Sequence, residues 1–264
     1  MTELLKLDID NRGVATVTLN RPEVHNAFNA ELVAGLSETF DKVAGNDARV
    51  MILTGEGHSF SAGADLNWMR AMAEATESEN RDDARRLAAM LRKLDRMPCP
   101  TIARVNGHAF GGGVGLIACC DLAVALETAK FGLTEVRLGL APATIAPFVL
   151  PRIGVNNARH YMLTGERIDA ERAVHIGLVS DTVPPGQLDG HINDLVALLL
   201  AGGPHAQAHC KELIQALAGG RLEAPETDRR TSELIAALRV SAEGQEGLSA
   251  FLEKRKPSWV TGDS

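Results

Sequence analysis

Two turns of low side-chain bulk constrain this chain more than any other feature. One is Phe60-Ser61-Ala62-Gly63-Ala64-Asp65, the other Phe110-Gly111-Gly112-Gly113. Val50-Met51-Ile52-Leu53-Thr54 precedes the first and Thr101-Ile102-Ala103-Arg104-Val105 the second, both β-type runs, and each turn leads into a helical pattern. Strands alternating with helices in this way argue for a layered α/β structure. A turn without bulk leaves backbone N–H groups unpaired and approachable. Two such turns aimed at one point would supply two donors to negative charge developing on a carbonyl oxygen. The competing explanation is packing: consecutive glycines let a helix sit close to a strand, and Gly63 suits any tight turn.

A third element favours the chemical explanation. Phe131-Gly132-Leu133-Thr134-Glu135 brings a carboxylate into an otherwise apolar stretch that runs on to Leu140-Ala141-Pro142. The 264 residues are 45% hydrophobic, enough for a sizeable core. A net charge of −7 argues against a dedicated nucleic-acid binder. Arg81, Arg85, Arg86, Arg92 and Lys93 form a stripe that reads first as a solvated helix face and second as a patch for a phosphorylated ligand. Cys99, Cys119, Cys120 and Cys210 contain no Cys-x-x-Cys pair, and neither a His-x-x-x-His nor a His-Glu-x-x-His site is expected of the histidines, so reduced thiols and no zinc site are expected. Met1-Thr2-Glu3-Leu4 opens no signal-peptide pattern, and no segment is long enough to span a bilayer; a cytoplasmic protein is expected.

Along the chain, Leu5–Asp10 and Val14–Leu19 alternate with period two around Asn11-Arg12-Gly13, the pattern of a hairpin. Asn29 is a helix N-cap ahead of Leu32, Val33, Leu36, Phe40 and Val43. Leu66 to Met97 reads as helix broken near Thr76-Glu77-Ser78, and 112–120 as an apolar helix. Asp121–Ala125 and Gly177-Leu178-Val179 read as short strands, with Thr164-Gly165 stopping one helix and Asp169-Ala170-Glu171 capping the next. From Gln187 the spacing predicts helices over about 187–201, 205–218, 226–242 and 246–255. The expected division is an α/β core over 1–186 and a helical region over 187–264 that packs on the core or on a neighbouring subunit. No internal repeat is visible in the letters.

These segments, with Arg21-Pro22-x-x-x-Asn26-Ala27, Gly107-x-x-Phe110, Cys120-Asp121, Glu135-x-x-Leu138-Gly139 and Glu246-Gly247-x-x-Ala250-Phe251-x-Glu253-Lys254-Arg255-x-Pro257, resemble the enoyl-CoA hydratase/isomerase (crotonase) superfamily over nearly the whole chain. The resemblance implies stacked ββα units, a helical C-terminal region, and a homotrimer or homohexamer. It also implies an acyl-CoA substrate, with coenzyme A entering as part of that substrate and no separate cofactor, nucleic acid, membrane or metal involved. By position, the backbone N–H groups of Ala64 and Gly112 would form the oxyanion hole and Glu135 would be the catalytic carboxylate. Val24, Ala27, Ala62, Gly63, Asp65, Leu66, Gly111, Thr134 and Leu138 would contact the substrate or its coenzyme A, with Phe251 and Lys254 reaching a neighbour's.

One departure bears on mechanism. Hydratases of this family usually carry a glutamate two positions past the glycine triplet, where this chain has Gly115; Pro-Gly-x-Gly-Gly is likewise replaced by Pro142-Ala143-Thr144-Ile145-Ala146. The altered segments resemble a bacterial branch of methylglutaconyl-CoA and isohexenylglutaconyl-CoA hydratases. Volume freed at Gly115 would then be expected to take a branched or carboxylated acyl chain.

A single carboxylate can take a proton from water and return it to carbon. Glu135 in apolar surroundings should have a raised pKa that suits that work. A Δ3,Δ2-enoyl-CoA isomerase, which needs only one carboxylate, and a non-catalytic acyl-CoA-binding subunit are the alternatives. Asp65 reads first as the cap of the helix from Leu66, while Trp68, Met69 and Met72 read as core before acyl pocket. His108 reads as a satisfied loop histidine, and Ser61 lacks a nucleophile elbow.

Overall fold

The computed structural model describes residues 4–218 and 223–260; Met1-Thr2-Glu3 and the last four residues of the 187–264 region lie outside the described residues. Strands β1 (Leu5–Ile9) and β2 (Val14–Leu19) form the expected antiparallel hairpin, with Leu5 opposite Leu19. Helix α1 (Ala30–Gly45) starts where the Asn29 side chain accepts the Leu32 N–H at 2.8 Å, and buries Leu32, Val33, Leu36, Phe40 and Val43. Next come β3 (Val50–Gly55), β4 (Ser59–Ser61), α2 (Leu66–Glu74) and α3 (Glu77–Asp95). The break between α2 and α3 is a capping box: Thr76 accepts the Glu79 N–H while the Glu79 carboxylate accepts the Thr76 N–H.

The chain continues through β5 (Thr101–Val105), β6 (His108–Phe110), α4 (Gly112–Cys119), β7 (Leu122–Leu126) and β8 (Lys130–Gly132). A 3-10 turn (Glu135–Leu138) precedes α5 (Ala146–Thr164), β9 (Arg167–Asp169), α6 (Ala170–His175) and β10 (Asp181–Val183). Helices α7 (Leu188–Ala201), α8 (Pro204–Ala218), α9 (Ala224–Val240) and α10 (Ala242–Leu252) close the chain.

The strands sort into two sheets. A six-stranded sheet runs β1-β2-β3-β5-β7-β10, parallel from β2 onward, and a four-stranded sheet runs β4-β6-β8-β9. Consecutive strands therefore alternate between sheets: β3 then β4, β5 then β6, β7 then β8, each pair followed by a helix or turn. This is a ββα unit stacked three times, a repetition of shape that leaves no repeat in the letters. It also corrects the strand-to-turn reading, because three-residue strands stand between the long strands and the glycine turns. A second correction concerns Gly177-Leu178-Val179. The N–H groups of Leu178 and Val179 both turn back to the Ala173 carbonyl, and the strand lies beyond them at β10.

One face of the large sheet packs on α1, α3 and α4, with Phe28, Phe40, Phe60 and Phe131 fully buried. Each such ring contributes about 1.5–3 kcal/mol relative to an exposed one. The other face, carrying Val14, Val50, Ile52, Ile102 and Val124, is covered by Leu188, Ile192 and Val196 of α7. Arg49 fastens the end of this arm. Its guanidinium donates to the carbonyls of Leu200, Gly202 and Trp259 at 2.9–3.1 Å, while the Trp259 indole donates to Ala201 O. Beyond α7 burial falls away: α8 and α9 bury no residue and α10 only Ala250. Among the described residues no helix is long and apolar enough to cross a membrane.

Candidate active site

Strands β4, β6 and β8 are parallel neighbours. Their carboxyl ends therefore lie side by side, one strand spacing of about 4.8 Å apart. The first end runs into Ala62–Asp65, the second into Gly111-Gly112, and the third into Leu133-Thr134-Glu135. Three segments that are distant in sequence thus emerge on one edge, the place where parallel sheets present their loops to ligands.

The contacts there are close. A Cβ built on Gly111 would sit 3.1 Å from Glu135 Oε1 and 3.9 Å from Gly63 Cα. A Cβ on Gly63 would meet the Phe110 carbonyl at 2.9 Å, and one on Gly113 the Ser61 carbonyl at 2.5 Å. Gly63 and Gly111 have φ of +88° and +49°, so both backbone shape and space demand glycine. The two turns of the sequence do meet, and Glu135 meets them.

Backbone pairing decides which N–H groups face outward. Phe28 donates to Gly63 O at 2.6 Å and accepts from Asp65 N at 2.8 Å, a parallel bridge in which Ala64 stands opposite Phe28. In that pattern the flanking residues use their groups on Phe28, and the Ala64 N–H points the other way. Ala64 is exposed, and no group among the described residues accepts its N–H. Gly112 is the first residue of α4, which has no side-chain cap, so its N–H lies at the open positive end of that helix. The Phe28 ring lies against Gly112, where a Cβ would approach Cε2 to 2.7 Å. Phe28 thus braces both donor turns. Its role was not evident from sequence, since a buried phenylalanine beside Asn26-Ala27 reads only as core.

The first turn is held by an ion pair. Arg21 donates to Asp65 Oδ2 at 2.8 Å and to Ala27 O at 2.6 Å, and both charged side chains are largely buried. The other Asp65 oxygen accepts the Asn67 N–H at 2.8 Å and caps α2 as expected. Burial pushes the Asp65 carboxyl up, but the Asn67 and Trp68 N–H groups and Arg21 outweigh it and hold it below the usual range. Asn26, with no exposed surface, ties its side chain to the Arg21 N–H and to the carbonyls of Glu56 and Ser59. Ser61 is buried with its hydroxyl on Asn26 O, as a structural serine.

Glu135 opens the 3-10 turn after β8. Burial pushes its carboxyl up, opposed only by its own backbone N–H, and Oε2 is buried without a partner. At neutral pH a carboxylate so placed accepts a proton readily. Of the other expected contacts, Ala27 and Gly63 are buried, Val24, Ala62, Gly111 and Thr134 half-buried, and Leu66 and Leu138 exposed by 70% and 60%. Phe251 and Lys254 lie at the end of α10, exposed, with Lys254 at φ +55°; a role there requires a second subunit.

Gly115 is a packing glycine. A Cβ on it would stand 2.5 Å from Ile145 Cγ2 and 3.7 Å from Leu91 Cδ2. The expected free volume is filled by Ile145, the cap residue of α5, so Gly115 opens no room for an acyl branch. Trp68, Met69 and Met72 are half-buried, with Trp68 packed against the main core. Of the basic stripe, Arg81, Arg85 and Arg86 pair with carboxylates along α3 and Lys93 with Asp41, as a solvated face does. His108 accepts the Lys130 N–H at 3.0 Å. All four thiols are free; burial pushes Cys99 up to about 11 and Cys120 to about 12. His205 and His209 do carry a metal-pair spacing on α8, but His209 pairs with Glu212, and no cluster of three possible ligands occurs among the described residues.

Comparison with known proteins identifies the family. The sequence model of the enoyl-CoA hydratase/isomerase family matches residues 10–262. The crystal structure of an enoyl-CoA hydratase from Shewanella pealeana superposes with a TM-score of 0.94 at 42% identity, covering 97% of this chain and 96% of that one. Pseudomonas aeruginosa AtuE superposes at 0.93 with 34% identity, over 98% of this chain and all of its own. The 2,3-dehydroadipyl-CoA hydratase of Escherichia coli is 35% identical over 249 residues, 93% of this chain and 94% of its own. With ββα units, glycine turns and matching relatives in agreement, the chain belongs to the enoyl-CoA hydratase/isomerase family of enzymes.

Proposed function

We propose that this enzyme hydrates the C2=C3 bond of a 2-enoyl-CoA through an oxyanion hole and one glutamate. The observation that carries the reading is the meeting of Gly63, Gly111 and the partly unbonded Glu135 carboxylate at one strand edge. The Ala64 and Gly112 N–H groups would bind the thioester oxygen as it gains negative charge, each worth about 3 kcal/mol in the transition state. Water adds its oxygen to C3 and gives a proton to Glu135. The C2=C3 electron pair moves toward the thioester, and Glu135 returns the proton to C2. The coenzyme A portion would lie along Val24, Ala27, Ala62 and Leu66, with Phe251 and Lys254 supplied by a neighbour in a trimer or hexamer built on the 187–264 helices. No resident cofactor is required, and the acidic charge and free thiols favour the cytoplasm.

For the acyl group we propose a 3-methylglutaconyl-like chain. What supports it is the absence of a second carboxylate at Gly115, which would repel an acidic acyl chain by about 1 kcal/mol or more at short range. The same feature favours a second reading, Δ3,Δ2-isomerisation, which needs one carboxylate only. Incubation with 3-methylglutaconyl-CoA, crotonyl-CoA and 3-hexenoyl-CoA, following hydration and conjugation separately, tests both. Conjugation of 3-hexenoyl-CoA without hydration of either enoyl ester would replace the first reading by the second, and inertness toward all three would leave a binding subunit.

A further inference from the structure

Four buried side-chain nitrogen or oxygen atoms lack a hydrogen-bond partner among the described residues: Arg49 Nε, Gln207 Oε1, Trp68 Nε1 and Glu135 Oε2. The first two belong to the joint between α7 and α8, where the rest of each side chain is bonded. The other two are a donor on the helix that follows Ala64 and an acceptor at the strand-edge site. Buried polar atoms are seldom left unpaired, and an unpaired one at a site calls for a ligand of matching polarity.

Trp68 is placed to share that site. It stands one helical turn past Ala64, in the first turn of α2, and its own backbone N–H helps hold the Asp65 carboxylate. Helical side chains lean toward the N-terminus of their helix, so the indole covers the turn that carries Ala64. That turn touches Gly111, and Gly111 touches Glu135. The indole is half-buried against the main core with its N–H wholly buried, so the donor is directed inward.

We propose that Trp68 Nε1 and Glu135 Oε2 hold the attacking water between them. The water oxygen accepts from the indole, one O–H donates to the carboxylate, and a lone pair is left for C3. When the C–O bond forms, the donated proton passes to Glu135 and the C2=C3 pair moves to the thioester; the indole N–H stays intact throughout. Fixing a water by one donor and one acceptor does what a second carboxylate would otherwise do, and Ile145 has closed the place at Gly115 where one would stand.

This rests on the hydratase reading, and the test separates the two. Trp68→Phe keeps a ring and removes the donor; Trp68→His keeps a ring N–H. Two rates are measured for each: hydration of crotonyl-CoA, and exchange of the C2 protons of butyryl-CoA with deuterated water, which needs Glu135 and the oxyanion donors but no attacking water. The expected result for Trp68→Phe is a fall in hydration kcat of about tenfold or more, KM within about twofold, and exchange unchanged, with partial recovery in Trp68→His. Hydration at the wild-type rate in Trp68→Phe, or loss of exchange in proportion to hydration, would overturn the assignment while leaving the hydratase standing. A wild type that exchanges protons but hydrates no enoyl ester would sink the hydratase reading itself, and this assignment with it.

Discussion

The strand-edge site and the C-terminal helices are built by opposite means. At the site nearly every group is spoken for within one chain. Asn26 uses its whole side chain, Arg21 and Asp65 neutralise each other, and Gly63, Gly112 and Gly113 lie where a methyl group would strike backbone or a buried ring. In α8, α9 and α10 the reverse holds: Ile214, Val240, Leu248, Phe251 and Leu252 are exposed by 50–81%. Water-facing apolar side chains at that density are what a partner surface would present. The contrast predicts that the strand-edge groups hold their places without a partner while the helical region is finished by assembly, so perturbations of the two should be separable.

The largest effect is expected at Glu135. Glu135→Gln should lower turnover about a hundredfold or more, leave acyl-CoA affinity nearly unchanged, and leave sedimentation untouched; near-normal turnover would remove Glu135 as the base. Next is Gly115→Glu. Against Ile145 at 2.5 Å it should destabilise the fold by about 1–3 kcal/mol and depress every substrate, the carboxylated acyl ester most. Equal losses on carboxylated acyl esters and on crotonyl-CoA would remove the support that Gly115 lends to an acidic acyl chain.

A third test sits wholly in the other region. The protein should sediment at micromolar concentration as a trimer or hexamer, and Ile214→Asp should shift it toward monomer with the native circular dichroism kept. A wild-type monomer would break the comparison outright, together with any role for Phe251 and Lys254 in a neighbour's site.

The smallest effect is a pH dependence. Because burial raises the Glu135 pKa, the folded state binds that proton more readily than the unfolded chain. Its contribution to stability is full below the ordinary glutamate range and is lost as pH rises through the folded value. Glu135→Gln should therefore melt higher than wild type at neutral pH and level with it in acid, while wild-type turnover falls as acid protonates the base. A variant melting lower at neutral pH would show that the carboxylate is held by partners, not desolvated.

Much of the site was legible because its chemistry is local: a glycine turn is written in consecutive residues, and Glu135 stands out against apolar neighbours. What escaped were relations between distant residues. The strands β4, β6 and β8 are three residues each, too short for period-two alternation to register, though they aim the whole site. Nothing near Gly115 announces Ile145, thirty positions on, and the Arg21–Asp65 pair spans a comparable gap. Gly177-Leu178-Val179 misled because a small apolar run reads as strand whether its N–H groups pair with a neighbour or fold back on Ala173.

Arg49 has a consequence for the order of events on the ribosome. A chain folds from its first-made end, and this guanidinium lies at the entry to β3, among the earliest strands completed. The carbonyls that receive it belong to Leu200, Gly202 and Trp259, made much later. Until those arrive, the nascent α/β core carries a cation with nowhere to bind. The synthesis of Trp259 is thus also the moment at which the arm can latch in full, and a chain cut before Trp259 would leave that seam open.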